Sequence, residues 1–298
     1  MEQSLKNRLT YGPMMLAALF LLLWLDYKVQ DWTRSAHLPN GVGGVGVLTL
    51  LLLLCPLATY ELATIFAAEK VKPYRLISGI GSSLLLFHAF LTQFKFFQPI
   101  AASTLAFIVV FVVLFAALQR ALTRQTHEAI TRMAGTILAT MYLGGLSWFL
   151  IAIRVKSSGH YIGSTVVILM ILLCVKCTDI GAYFGGRAFG RHKLIPWLSP
   201  GKTWEGLGFG LLTAGLIGAL MARWIHAPEY HMLWWKGFIF GAVIGGIGQA
   251  GDLLESLMKR DAEVKDSGAL IPGFGGLLDV MDSPLLASPF AYLLFSLL

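Results

Sequence analysis

LTLLLLLCPLA (48–58) and IVVFVVLFAAL (108–118) decide the architecture, because both are apolar on every face of a helix. A membrane β-barrel strand alternates lipid-facing and lumen-facing residues, and neither stretch alternates. The same character extends over the chain. Of 298 residues 56% are hydrophobic and 13% charged, with a mean hydropathy of +0.71. A soluble globular domain carries charge on roughly a quarter of its residues, so that class is excluded. The reading is an all-α, polytopic integral membrane bundle of about nine transmembrane helices, each near the ~20 residues that cross a bilayer. The expected spans are 12–29, 41–60, 76–93, 99–118, 133–153, 161–179, 205–222, 234–254 and 283–298.

Segments between the spans supply the organisation. The first span follows Lys6 and Arg8 but lacks a small-residue cleavage site, so it reads as a retained anchor. Residues 61–75 mix Ile65, Phe66 and Ala67 with Glu69, Lys70 and Lys72, which predicts a short interfacial helix. The division is an N-terminal region (1–160, about five spans plus that helix) and a C-terminal region (161–298) with hydrophilic loops at 186–204 and 255–282. The formal charge of +7 is better explained by the positive-inside rule than by a nucleic-acid partner, and none is expected. Outside the spans, Lys and Arg fall fifteen to seven in favour of the face holding the amino terminus and both hydrophilic loops. That count, which places Arg154 in a loop on the opposite face, puts the two loops in the cytoplasm.

Several motifs fail in context. GVGGVG (41–46) and GIGQAG (246–251) match a dinucleotide pattern without a strand-turn-helix unit, so they read as helix-packing glycines, like Gly241 with Gly245 and Gly206 with Gly210. GKT at 201–203 has Pro196 where a P-loop needs glycine. Cys174 and Cys177 lack a redox context. His192 is an ordinary loop residue, and no histidine pattern has metal-ligand spacing.

The acids are more informative. Seven of the 16 acidic residues lie between Asp252 and Asp282. Asp252 continues the apolar run FIFGAVIGGIGQAG and Asp179 ends VVILMILLCVKCTD; an acid on a membrane helix is a functional candidate by default. Pairing with Lys176 or with bases of the 186–204 loop is the plainer alternative. Carboxylates interleaved with Lys and Arg suit chemistry among phosphates, the acids holding Mg²⁺ and the bases binding phosphoryl oxygens. Asp279 and Asp282 are spaced i, i+3, which places both on one helical face. In PGFGG, Gly273, Gly275 and Gly276 permit close approach of backbone to phosphate, or simply a tight turn.

DIGAYFGGRAFGRHKLIPWLSPGKTWEG (179–206) and GDLLESLMKRDAEVKDSGALIPGFGGLLDVMDS (251–283) closely resemble the phosphatidate cytidylyltransferases, or CDP-diacylglycerol synthases. Ser256, Lys259, Arg260, Lys265, Asp266, Pro272, Gly273, Gly275, Gly276, Asp279, Asp282 and Ser283 match the family signature in order and spacing. Phe274 and Val280 depart from it, standing where many members have His and Arg. The resemblance implies an enzyme of a bacterial inner membrane that joins CTP and phosphatidate into CDP-diacylglycerol and pyrophosphate. The expected metal carriers are Asp252, Asp279 and Asp282, for Mg²⁺ that the family pairs with K⁺. Lys259 and Arg260 complete the catalytic set, and Lys202, Lys265, Ser199, Ser256, Asp179, Asp266, Gly275 and Gly276 the substrate-binding set. A homodimer is compatible with this reading. Rival readings are a CTP-dependent lipid kinase, an inactive lipid-binding homologue and a secondary transporter, the last disfavoured because the ionisable groups gather at one face rather than mid-membrane.

Overall fold

A computed structural model describes residues 2–297 except 36–39, 157–160, 225, 228–229, 265–266, 269–272 and 274. Among the described residues the helices are α1 (Glu2–Trp32), α2 (Val45–Ala68), α3 (Arg75–Leu91), α4 (Ala101–Leu122), α5 (Ala129–Thr140), α6 (Leu146–Lys156), α7 (Tyr161–Phe189), α8 (Trp204–Met221), α9 (Trp234–Asp261) and α10 (Leu278–Leu297). A π-helical turn, Met141–Gly145, joins α5 to α6, making one span of the two. Among the described residues eight helices are long and apolar enough to cross a membrane, and α3 is a shorter apolar ninth. The chain is therefore a multi-pass helical membrane protein.

Its contacts divide it into two units. One comprises Met1–Val155 with Asp261–Val280, the other Lys156–Arg260 with Met281–Leu298. In the first, α2 packs on α3, and α3 on α4 and α5. A buried ion pair joins α1 to α6: Arg154 Nε meets Asp26 Oδ2 at 2.7 Å, both side chains fully buried. Asp26 Oδ1 also accepts from Gly46 N at 2.8 Å. Arg154 thus belongs inside the bundle and leaves the loop count, because an intramembrane carboxylate needs a partner and a guanidinium supplies one. GVGGVG begins as a turn rather than as helix-packing glycines, since α2 starts only at Val45 and Gly41 and Gly44 have φ of 63° and 82°. Only glycine takes those angles without strain. Residues 61–68, expected in a separate interfacial helix, are the last two turns of α2. Glu61 is buried there, and its partners, described below, let the helix continue inside the protein.

In the second unit α7 runs along α8, and glycine makes the close crossings. Gly206 and Gly210 lie against Ala182 and Thr178 of α7, and Gly218 meets Gly237 and Gly241 of α9 backbone to backbone. This is the small-residue packing of membrane helices. Cys174 and Cys177 are free thiols. Both α7 and α9 outrun their expected ends: Asp179 is followed by ten more helical residues, and α9 continues to Asp261. Hydropathy marks where a helix leaves the apolar layer, and in α9 the continuation ESLMKR holds Glu, Leu, Met, Lys and Arg, good helix formers that carry it onward.

Candidate functional site

The helical extension of α9 places Asp252, Glu255 and Lys259 at i, i+3 and i+7, on one face. The residue one turn before Asp252, Gln249, donates through Nε2 to Asp179 Oδ1 on α7 at 2.5 Å. Lys202 arrives from a short antiparallel hairpin, β1 (Lys193–Ile195) and β2 (Ser199–Thr203). Thr203 ends that hairpin and caps α8, its Oγ1 accepting from Gly206 N at 3.1 Å. The GKT tripeptide is thus strand, then helix cap. Glu205 in the first turn of α8 accepts from Arg191 N and His192 N and meets His192 Nδ1 at 2.6 Å. These bonds pin the hairpin's entry, so His192 serves loop structure.

Held this way, Lys202 Nζ lies 2.5 Å from Asp252 Oδ2. Lys259 Nζ lies 3.3 Å from Glu255 Oε2. The Glu255 carboxyl in turn meets that of Asp282 on α10, and both residues are buried. Asp282 Oδ1 accepts from Ser283 N and Ser283 Oγ, whereas its buried Oδ2 has no hydrogen-bond donor among the described residues. Asp179, Asp252 and Asp282 act electrostatically on one another, with Lys176 and Lys202 as opposing charges. Of the expected site residues this unit also holds Ser199 and Ser256, both partly exposed, and Arg260, which is exposed.

The first unit holds Asp279, Gly275 and Gly276. Asp279 Oδ2 accepts from Gly276 N at 2.7 Å and Ser267 N at 3.2 Å, so its carboxylate braces the turn that precedes α10. Lys265, Asp266 and Phe274 lie outside the described residues. Gln249, Lys176, Glu61 and Glu255 are not among the site residues expected from the sequence. A signal existed for Glu61 and Gln249, since each is a polar side chain in an apolar stretch of its helix.

Among the described residues no group of three or more His, Cys, Asp and Glu side chains forms a protein-only metal cage. The donor set nevertheless fits Mg²⁺. That ion takes oxygen ligands, keeps several waters, and is held by one or two carboxylates together with substrate phosphates. Asp282, with a buried oxygen that has no donor among the described residues and with Glu255 and Asp252 beside it, supplies hard oxygens of that kind.

Comparison with known proteins identifies the family. Residues 41–298 match the model of the cytidylyltransferase family. The chain is 32% identical over 253 residues to a phosphatidate cytidylyltransferase of Bacillus subtilis, covering 85% of this chain and 91% of that one. It is 44% identical over 125 residues to the Haemophilus influenzae protein of the same name, covering 42% and 43% respectively. With the chloroplastic phosphatidate cytidylyltransferase 5 of Arabidopsis thaliana it shares 33% identity over 246 residues, 76% of this chain and 58% of that one. With the match spanning all but the first forty residues, this chain belongs to the cytidylyltransferase family.

Proposed function

We propose that the protein is a phosphatidate cytidylyltransferase, making CDP-diacylglycerol and pyrophosphate from CTP and phosphatidate. The observation that carries the reading is the set of exchangeable acid-base pairs in the second unit: Lys202 with Asp252, and Lys259 with Glu255 beside Asp282. Each lysine has a carboxylate to hold it in the absence of substrate, and a phosphoryl oxygen is an equivalent partner.

In the reaction a phosphatidate oxygen forms a bond to the α-phosphorus of CTP as the bond to the β-phosphate oxygen breaks, in line. A phosphate monoester already presents an anionic oxygen at neutral pH, so the step depends on positioning and charge neutralisation rather than on a general base. Lys202, Lys259, Arg260 and Lys265 bind the triphosphate and the lipid phosphate, with Ser199 and Ser256 as hydroxyl donors. Asp179 and Asp266 serve either the metal or these bases, and Gly275 and Gly276 give backbone access. Asp252 and Asp282 are the residues that would hold Mg²⁺, with K⁺ as a second cation, whereas the Asp279 carboxylate, also expected as a carrier, braces the turn before α10. When bound, the metal supplies charge neutralisation on the triphosphate. The catalytic face lies in the cytoplasm, where CTP is available, and the membrane is the bacterial inner membrane. No nucleic acid takes part, and the assembly we propose is a homodimer.

The test uses purified protein, phosphatidate, Mg²⁺ and CTP labelled at the α- or the γ-phosphate. Label from the α position in a CDP-lipid, with γ label released as pyrophosphate, is the expected outcome. Transfer of γ label to lipid would identify a lipid kinase instead, and no lipid product would identify a binding homologue.

A further inference from the structure

Glu61 sits 216 residues before the turn it holds, yet its carboxylate organises the start of α10 from within the same unit. Oε1 accepts from Leu277 N at 3.0 Å, and Oε2 accepts from Leu278 N at 2.8 Å and from Ser267 Oγ at 3.3 Å. A helix start leaves its first N–H groups without intrahelical partners, and a side-chain acceptor just before the helix normally takes them. Here Leu277 precedes the helix and has no acceptor, so the cap comes from α2. The surrounding backbone is shaped to the same carboxylate. A Cβ on Gly268 would stand 2.5 Å from Glu61 Oε1, and one on Gly276 would stand 2.7 Å from Oε2. The absence of a side chain at these two positions makes room for Glu61, whatever else Gly276 does.

We propose that Glu61 is a positioning residue for the cytidylyl transfer inferred above, on which this assignment rests. It fixes the first turn of α10 and so the carboxylate of Asp279, the second residue of that helix; Asp282 follows one turn later on the same helix. Asp279 itself is bonded to Gly276 N and Ser267 N, two residues that border Glu61. The turn is therefore held between two carboxylates, one from its own helix and one from α2.

The test compares the full-length wild type with Glu61→Gln, Glu61→Ala and Gly268→Ala. The last leaves the carboxylate in the chain but pushes a methyl group against it. The readouts are amide hydrogen exchange in the peptide spanning 275–282, and kcat and KM for CTP and phosphatidate per folded molecule. Exchange of that peptide should rise about 10-fold in the Glu61 variants, the order expected for one lost hydrogen bond in a local opening. In the same variants kcat should fall by about 10²-fold, as small misplacements of reacting groups do, with KM for phosphatidate nearly unchanged. Gly268→Ala should shift both readouts in the same direction. A drop in folded yield with unaltered kcat and unaltered exchange in the surviving protein would overturn the proposal. So would a loss of kcat without faster exchange. A wild type that forms no CDP-lipid would refute the functional reading, while exchange would still decide whether Glu61 anchors α10.

Discussion

Replacing Asp252 with Asn separates two roles of one carboxylate. The Lys202–Asp252 pair is partly solvated, with the Asp252 side chain 40% exposed and that of Lys202 20%. Pairs of this kind contribute ~0.2–1 kcal/mol to stability after solvent screening. Asn keeps the size of Asp and leaves a carbonyl oxygen as an acceptor for Lys202, so the loss belongs at the lower end of that range. Catalysis is different, because removing a charge-stabilising contact made in the transition state costs ~10²–10³ in rate, or ~2.7–4 kcal/mol. The effect on turnover is thus at least a few-fold larger, in free energy, than the effect on folding. Asp252→Asn should therefore insert and purify like the wild type, with a melting temperature within about 4 °C, while CDP-lipid formation from labelled CTP falls by at least about 10²-fold. Activity within threefold of wild type would remove Asp252 from the reaction. A collapse of folded yield would show the pair to be structural.

Three other outcomes follow from particular residues. Lys202→Ala and Arg260→Ala should each raise KM for CTP more than KM for phosphatidate, because the lipid is also held by burial of its chains; equal rises, measured by varying each substrate in turn, would leave these bases a structural role only. Asp26→Asn strips the counter-charge from a fully buried Arg154 and should destabilise the fold by about 3–5 kcal/mol, read as lower yield and thermal midpoint with kcat of the folded fraction retained. For topology, an impermeant thiol reagent applied to intact cells should label Phe96→Cys, in the exposed α3–α4 connection, and spare Lys193→Cys on β1; the reverse pattern would invert the orientation.

Membrane helices were legible in the sequence because lipid imposes the same requirement on every face of LTLLLLLCPLA or IVVFVVLFAAL, and that requirement is local. The acids near the ends of apolar runs, Asp179 and Asp252, were legible as candidates for the same reason. What they touch was not, because pairing depends on which helices become neighbours. Gln249 meets Asp179 across 70 residues, and Arg154 meets Asp26 across 128. Arg154 illustrates the difficulty: at the end of an apolar run it resembles a loop cation, and only the proximity of α1 reveals a buried ion pair. Glu61 shows the converse, since an acid followed by Glu69, Lys70 and Lys72 resembles the polar face of an interfacial helix until the turn before α10 is seen to bring N–H groups to it.

The membrane-embedded acids also sort themselves by how completely they are satisfied. Asp26 has a buried guanidinium and a backbone N–H, and Glu61 has two backbone N–H groups and a hydroxyl. Dislodging either would leave buried polar groups unpaired, at a cost of ~1–3 kcal/mol for each. Such acids are fixed parts of the scaffold. Asp252 instead faces a lysine on a hairpin, with much of its side chain open to solvent. Asp282 keeps a buried oxygen with no donor among the described residues, against the carboxyl of Glu255. A scaffold gains little from two buried carboxyl groups in contact, since like charges oppose their joint ionisation. Under the proposed function a bound cation would offset the charge of these acids, and phosphoryl oxygens would replace the carboxylates as partners of Lys202 and Lys259. Incomplete satisfaction, rather than the mere presence of an acid in an apolar helix, is what sets Asp252 and Asp282 apart from Asp26 and Glu61, and it is the ground on which we propose them as the groups that meet substrate.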